Sequence, residues 1–225
     1  MPVISFASPK GGVGRTTSAI ALATSFVPSC RVVLIDADPA RSVMSWSRKK
    51  ALVPHLQVQA SGGHHMIRDE INDARAQAPF VILDLEGAVT RLNAYAMAES
   101  DLVIIPMGDE QQEAEAAIET LAELKRMTRA LDRDIPARIL FSRTQRKADK
   151  SPLERSLNDQ MRGRVECFEQ ELTRWPAFSA LHSYGGTILG LGKDRVPDAP
   201  RASAYASIFA DEVKAVTNDL ARIQL

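Results

Sequence analysis

The sequence predicts an α/β fold: a mostly parallel β-sheet with helices on both faces. Two observations carry that expectation. Short, almost wholly apolar runs alternate with longer amphipathic stretches of helical period, the pattern of βαβ units. The apolar runs are also rich in β-branched residues, as strands buried on both faces of a parallel sheet must be. Val3 to Ala7 reads as the first strand, and Thr16 to Phe26 as an alanine-rich helix. Arg31 to Ile35 is the second strand, followed by a helical stretch from Ala40 to Lys50, a short strand at Leu56 to Gln59 and a helix over Met66 to Gln77. Phe80 to Leu83 and Leu102 to Pro106 are further buried strands, with a short helix from Leu92 to Glu99 between them. Gln111 to Leu131 is the longest helix, presenting Ala114, Ile118, Leu121, Leu124 and Leu131 on one face. After a strand at Arg138 to Phe141 the pattern weakens, until Ala202 to Ile223 closes the chain as a helix.

Composition narrows the class. The 225 residues suit one domain spanning 1–225, which would bury roughly 70% of its unfolded surface. With 45% apolar residues and 28 Lys+Arg against 28 Asp+Glu, the chain is neither disordered nor a uniformly basic coat for nucleic acid. No apolar run approaches the roughly 18 residues of a membrane span, and Met1 to Phe6 has no secretion signal, so a cytoplasmic location is expected. Cys30 and Cys167 form no CxxC pair and read as two reduced thiols.

The sharpest feature is Ser8-Pro9-Lys10-Gly11-Gly12-Val13-Gly14-Arg15-Thr16-Thr17, between the first strand and the first helix. Glycines let successive N–H groups turn inward toward phosphate oxygens, and the helix that follows adds its positive end. Thr16 is placed to give a hydroxyl to Mg²⁺. The pattern GxxxxGK[ST] fails at Pro9 and Arg15, whereas KGGxGK[ST] fails only at Arg15.

In these residues the chain resembles the ParA/MinD family of deviant Walker A ATPases. Val33 to Pro39, with Asp36-Ala37-Asp38-Pro39, is similar to the family's DxDP segment. Val81-Ile82-Leu83-Asp84 is similar to its Walker B strand, and Asp101 to Pro106 to the strand that follows in ParA proteins. Together with Ser45-Trp46-Ser47, these motifs look most like the small, ParF-type plasmid partition proteins. The resemblance is good over residues 2–145 and loose beyond.

It implies an ATPase that holds ATP through Lys10, Gly11, Gly12, Val13, Gly14, Arg15, Thr16 and Thr17, with Mg²⁺ on Thr16, Asp36 and Asp84. Lys10, Arg15 and Asp38 would be catalytic: Lys10 reaching the partner subunit's nucleotide in an ATP-bound homodimer, Asp38 orienting the attacking water. Asp36 and Asp38 bracket one residue and are expected to leave the strand end on opposite sides. Arg15 keeps the charge of the loop lysine as a longer, planar group, which puts fast hydrolysis in doubt while leaving nucleotide binding in place. Partners implied are non-specific DNA at the nucleoid and a ParB-like, centromere-binding protein.

Two charged stretches lie outside the motifs. Asp109 to Glu123 holds six carboxylates and no cation, and reads as a solvated helix face. Arg138 to Arg164 holds eight basic residues against three acidic ones, and Arg143, Arg146, Lys147 and Lys150 are its candidate DNA contacts. His64-His65 lacks metal-ligand spacing. The last helix aligns Val213, Val216, Leu220 and Ile223, and its acidic polar face argues for packing on the sheet rather than on a membrane. Alternatives to a partition ATPase are a nucleotide-dependent positioning or DNA-transfer accessory protein with little turnover, and a small-molecule ligase or kinase on the same scaffold.

Overall fold

The computed structural model describes residues 1–50, 53–87 and 90–223. Six strands, β1 (Val3–Phe6), β2 (Val32–Ala37), β3 (Leu56–Ala60), β4 (Phe80–Leu85), β5 (Leu102–Met107) and β6 (Ala137–Phe141), form one sheet in the order β3-β2-β4-β1-β5-β6. Every pairing is parallel, as the apolar strand runs predict. The helices are α1 (Arg15–Phe26), α2 (Ser42–Ser47), α3 (Ile67–Gln77), α4 (Arg91–Ala98), α5 (Gln111–Leu131), α6 (Pro152–Arg162), α7 (Pro176–Tyr184) and α8 (Ala199–Ile223).

Strand alternation sends neighbouring residues to two cores. Ile4, Leu34, Ile82 and Ile104 pack with α1, α7 and α8. Val3, Val33, Val81 and Val103 pack with α3, α4 and α5 on the other face. The chain leaves β1 toward β2 and β3, returns to insert β4, then continues on the far side with β5 and β6. That reversal of strand order beside β1 is where sheets of this kind open a crevice at their carboxyl ends.

Pro106 sits inside β5. Ala7 donates its N–H to the Ile104 carbonyl, so Pro106, two residues on, faces the same flank beyond the end of β1. A missing N–H costs no ladder bond there.

Several boundaries differ from expectation. The second helix is confined to Ser42–Ser47, not Ala40 to Lys50. Arg41 takes a left-handed conformation at its start (φ 52). Its guanidinium donates to the carbonyls of Asp36 (2.5 Å) and Ser61 (2.6 Å). Helices α6 and α7 occupy the stretch where the pattern weakens. Helix α6 opens with a capping box between Ser151 and Glu154 and with Pro152 in the first turn, a local signal in the sequence that the eye passes over among so many charges. Helix α8 packs against α1 rather than directly on the sheet, through Ala202, Ala206, Phe209 and Val213. Phe209 meets Phe168 edge-on at 5.1 Å. The Ile223 side chain lies outside the described residues.

Candidate nucleotide site

The glycine segment leaves β1 and enters α1 as the strand–loop–helix junction that its composition predicts. Gly12 (φ 80) and Gly14 (φ 91) take left-handed conformations, which side chains with a Cβ rarely adopt. The Ser142 hydroxyl, at the end of β6, donates to the Val13 carbonyl (2.5 Å) and ties the loop down from outside. Over Gly12, Gly14, Thr16 and Thr17 lies a cavity of about 580 Å³. Its far wall comes from the segment Leu172–Trp175 and from α7.

Register brings the carboxylates together. Asp84 pairs with Phe6 on one side and with Asp36 on the other, at the carboxyl ends of β1, β4 and β2. Asp84 is fully buried, and neither of its side-chain oxygens has a hydrogen-bond partner. Burial pushes its pKa up to about 7; the Thr16 hydroxyl and the Arg15 charge pull it down, and Asp36 and Asp38 push it up. A buried carboxylate with unmet demand beside a threonine hydroxyl suits an oxygen-bound cation. Among the described residues no group of three or more His, Cys, Asp or Glu could hold a metal alone. A cation here would draw further ligands from phosphate and water, as Mg²⁺ does.

Asp36 is held differently from Asp84. One of its oxygens accepts the Asp38 N–H (3.3 Å) and the other the Met44 N–H (2.8 Å). Burial nonetheless raises its pKa, against those two bonds and the Arg41 charge. Asp38 lies just beyond the end of β2, and both its charge and that of Asp36 push the Asp84 pKa up.

Arg15 does not point into the cavity as a free cation. It donates to the Ser8 carbonyl (2.7 Å) and pairs with Asp38 (3.3 Å), with its side chain 10% exposed. Lys10 lies outside the cradle, donating to Gln112 (3.1 Å) and facing Glu110 at 3.7 Å. The first turn of α5 is therefore engaged with the loop rather than merely solvated. Thr17 bonds His182 on α7 (2.8 Å), and burial, reinforced by Lys49, lowers that histidine's pKa.

The basic stretch does not survive as one patch. Lys150 is buried between Asp109 (3.3 Å) and Glu171 (2.7 Å), so its place among the DNA contacts is corrected: a burial this deep excludes a duplex. Arg143 lies against the phosphate loop, while Arg146, paired with Asp149 (2.6 Å), and Lys147 stay at the surface. Arg143, expected only as a DNA contact, and Trp175 and His182, which carried no local signal, line this cavity from more than 100 residues away in the chain.

The sequence model of the VirC1 protein family matches residues 1–223. A ParA protein of Rhizobium radiobacter is 29% identical over 214 residues, covering 93% of this chain and 95% of that one. Among solved structures, a Cyanothece McdA variant in complex with ATP aligns with a TM-score of 0.70 at 16% identity, over 93% of this chain and 96% of that one. MinD of Aquifex aeolicus, in its complex with MinC, aligns with a TM-score of 0.74 at 15% identity over 96% of both chains. The glycine loop, the buried carboxylate beside it and these likenesses agree: the chain belongs to the VirC1 family, within the ParA/MinD group of P-loop ATPases.

Proposed function

We propose that this protein is a ParA-type partition ATPase that binds ATP with Mg²⁺, closes into a nucleotide sandwich dimer and carries a DNA cargo along non-specific DNA. The observation that carries the reading is Asp84, buried and unpartnered at the end of β4 beside the Thr16 hydroxyl and the glycine loop. The ATP complex of a McdA with this fold supports it.

Loop amides from Gly11 to Thr17, with the first turn of α1, bind phosphate oxygens. Mg²⁺ on Thr16 and Asp84 would neutralise charge on the transferred phosphoryl group. Asp38 orients water once Arg15 releases it, and Asp36 holds the turn that carries Asp38. Lys10 exchanges Gln112 and Glu110 for the partner subunit's nucleotide. Arg146 and Lys147 supply sequence-indifferent phosphate contacts at the nucleoid, and a centromere-binding protein triggers release. The state of Arg15, closed onto Asp38, favours a second reading in which turnover is slow and the protein acts as a nucleotide-dependent positioning or DNA-transfer accessory module.

Sedimentation with ATP, with ADP and without nucleotide, with and without DNA, tests the reading. Dimers should form with ATP alone, and Lys10→Ala should lose them while keeping most ATP affinity. Monomers under every condition would sink it.

A further inference from the structure

We infer that Arg143 is a phosphate-binding residue of the nucleotide cleft, its guanidinium closing the outer side of the glycine loop over a nucleoside di- or triphosphate. The inference rests on the nucleotide-binding reading above and assigns to Arg143 the charge that Arg15 withholds.

Position comes first. A Cβ on Gly14 would sit 3.4 Å from Arg143 Cγ, and one on Gly12 would sit 3.4 Å from Arg143 Nη1. The side chain therefore runs along the loop from Gly14 to Gly12 and borders the cavity. A Cβ at either point would meet Arg143 in ordinary van der Waals contact, so the guanidinium lies directly on the loop without crowding it, and the glycines answer to their positive φ instead.

Charge comes second. The loop's own arginine is turned back onto the Ser8 carbonyl and Asp38. Among the described ion pairs none involves Arg143, and the residue is exposed. An unpaired guanidinium held against the glycine loop at the cavity wall is a fork for two phosphate oxygens.

Backbone strain comes third. Arg143 has φ 56, a left-handed conformation that residues with a Cβ adopt only at a cost. Its neighbours impose it. The Arg143 N–H donates to the Leu172 carbonyl (2.8 Å) and the Ser142 N–H to the Met107 carbonyl (2.7 Å). The Ser142 hydroxyl holds Val13, and buried Lys150 anchors the far end of the same loop between Asp109 and Glu171. A glycine would take this conformation without strain, but it could not reach the phosphates. Strain retained where it aims a cation at a cleft marks a site.

Calorimetric titration of the full chain with ATP, ADP and inorganic tripolyphosphate decides the matter, using the unaltered protein, Arg143→Gly, Arg143→Lys and the control Lys125→Ala at an exposed cation on α5. Arg143→Gly should melt at the same or a higher temperature, since it relieves the strain. It should bind ATP and tripolyphosphate about tenfold or more weakly, with Arg143→Lys in between and Lys125→Ala unchanged. Unaltered affinities in Arg143→Gly overturn the inference, and so does a loss confined to DNA binding. If the unaltered chain binds neither ATP nor tripolyphosphate, the nucleotide reading itself falls and takes this inference with it.

Discussion

Two carboxylates at opposite ends of the sheet show how one residue type serves two purposes. Asp101 precedes β5 at the amino end. It accepts the Val3 N–H (2.8 Å) and pairs with Arg75 (3.5 Å) and Arg133 (3.2 Å). Those arginines go on to cap the carbonyls of Glu99 and Ser100 (both 2.9 Å). Asp84 ends β4 at the carboxyl end, is buried completely, and has no partner for either oxygen. Both oxygens of the first are partnered, and they join β1, α3 and the start of β5. The second is held against its own electrostatic preference, and the fold tolerates that because rigid strands on both sides fix its place. A buried carboxylate with both oxygens unpartnered marks the working end of this sheet more sharply than the mere presence of charge does.

The largest effect should come from neutralising Asp84. Its pKa of about 7 lies above the usual carboxylate value, so the folded state holds its proton longer than the unfolded state does. Stability from this group is then present at low pH, declines as pH rises from about 4 to about 7, and stays lost above. Asp84→Asn should stabilise the nucleotide-free protein at pH 8 by up to about 4 kcal/mol, with the gain fading toward pH 4, while abolishing Mg²⁺-dependent ATP binding. Urea unfolding at the two pH values checks it; no gain at pH 8 would break the contrast with Asp101.

Lys150 extends the satisfied class to the loop beside the cleft. Its side chain is 4% exposed between Asp109 and Glu171, and Glu171 also accepts from the Thr144 hydroxyl (2.8 Å). Lys150→Ala takes away the cation shared by two carboxylates, leaving Glu171 with Arg162 and Thr144 and Asp109 with the Gln145 N–H, and should cost about 3 kcal/mol in thermal or urea unfolding. It should leave the salt slope of any DNA binding where it was. A flattened slope with native stability would return this lysine to the surface patch.

Arg15 sits between the classes, paired yet inside the site. Arg15→Lys gives a compact ammonium that can follow the phosphoryl group as charge shifts to the leaving oxygen. Turnover in a steady-state assay with DNA should rise about tenfold, equivalent to about 1.4 kcal/mol, with little change in nucleotide affinity. Equal turnover would show a loop already suited to arginine.

The smallest effect belongs to Asp101→Asn. Its partners keep their carbonyl bonds, and the carboxylate is 28% exposed, so solvent screens much of what is lost. A destabilisation of about 1 kcal/mol at pH 7 is expected. Nucleotide binding should not change.

The fold was legible because its signals are local. Apolar β-branched runs specify buried strands, and β4 and β5 lie where those runs predict. The phosphate loop was legible for the same reason, since a strand, three glycines and a helix start within ten consecutive residues build it. Helices α6 and α7 were not, because both are short and bury few apolar groups of their own, and α6 is also highly charged. The basic stretch misled because a run of cations reports charge but not direction.

The sequence by itself determined the sheet, the glycine cradle and the identity of the carboxylates around it. Tertiary structure alone decided which charges are free. Arg15 is spent on Ser8 and Asp38, Lys150 is enclosed by Asp109 and Glu171, and Arg143 is left facing the loop. The physical reason is range. A backbone turn depends on a few neighbouring dihedrals, whereas the state of a charge depends on every group within a few ångströms, and those groups arrive from distant parts of the chain.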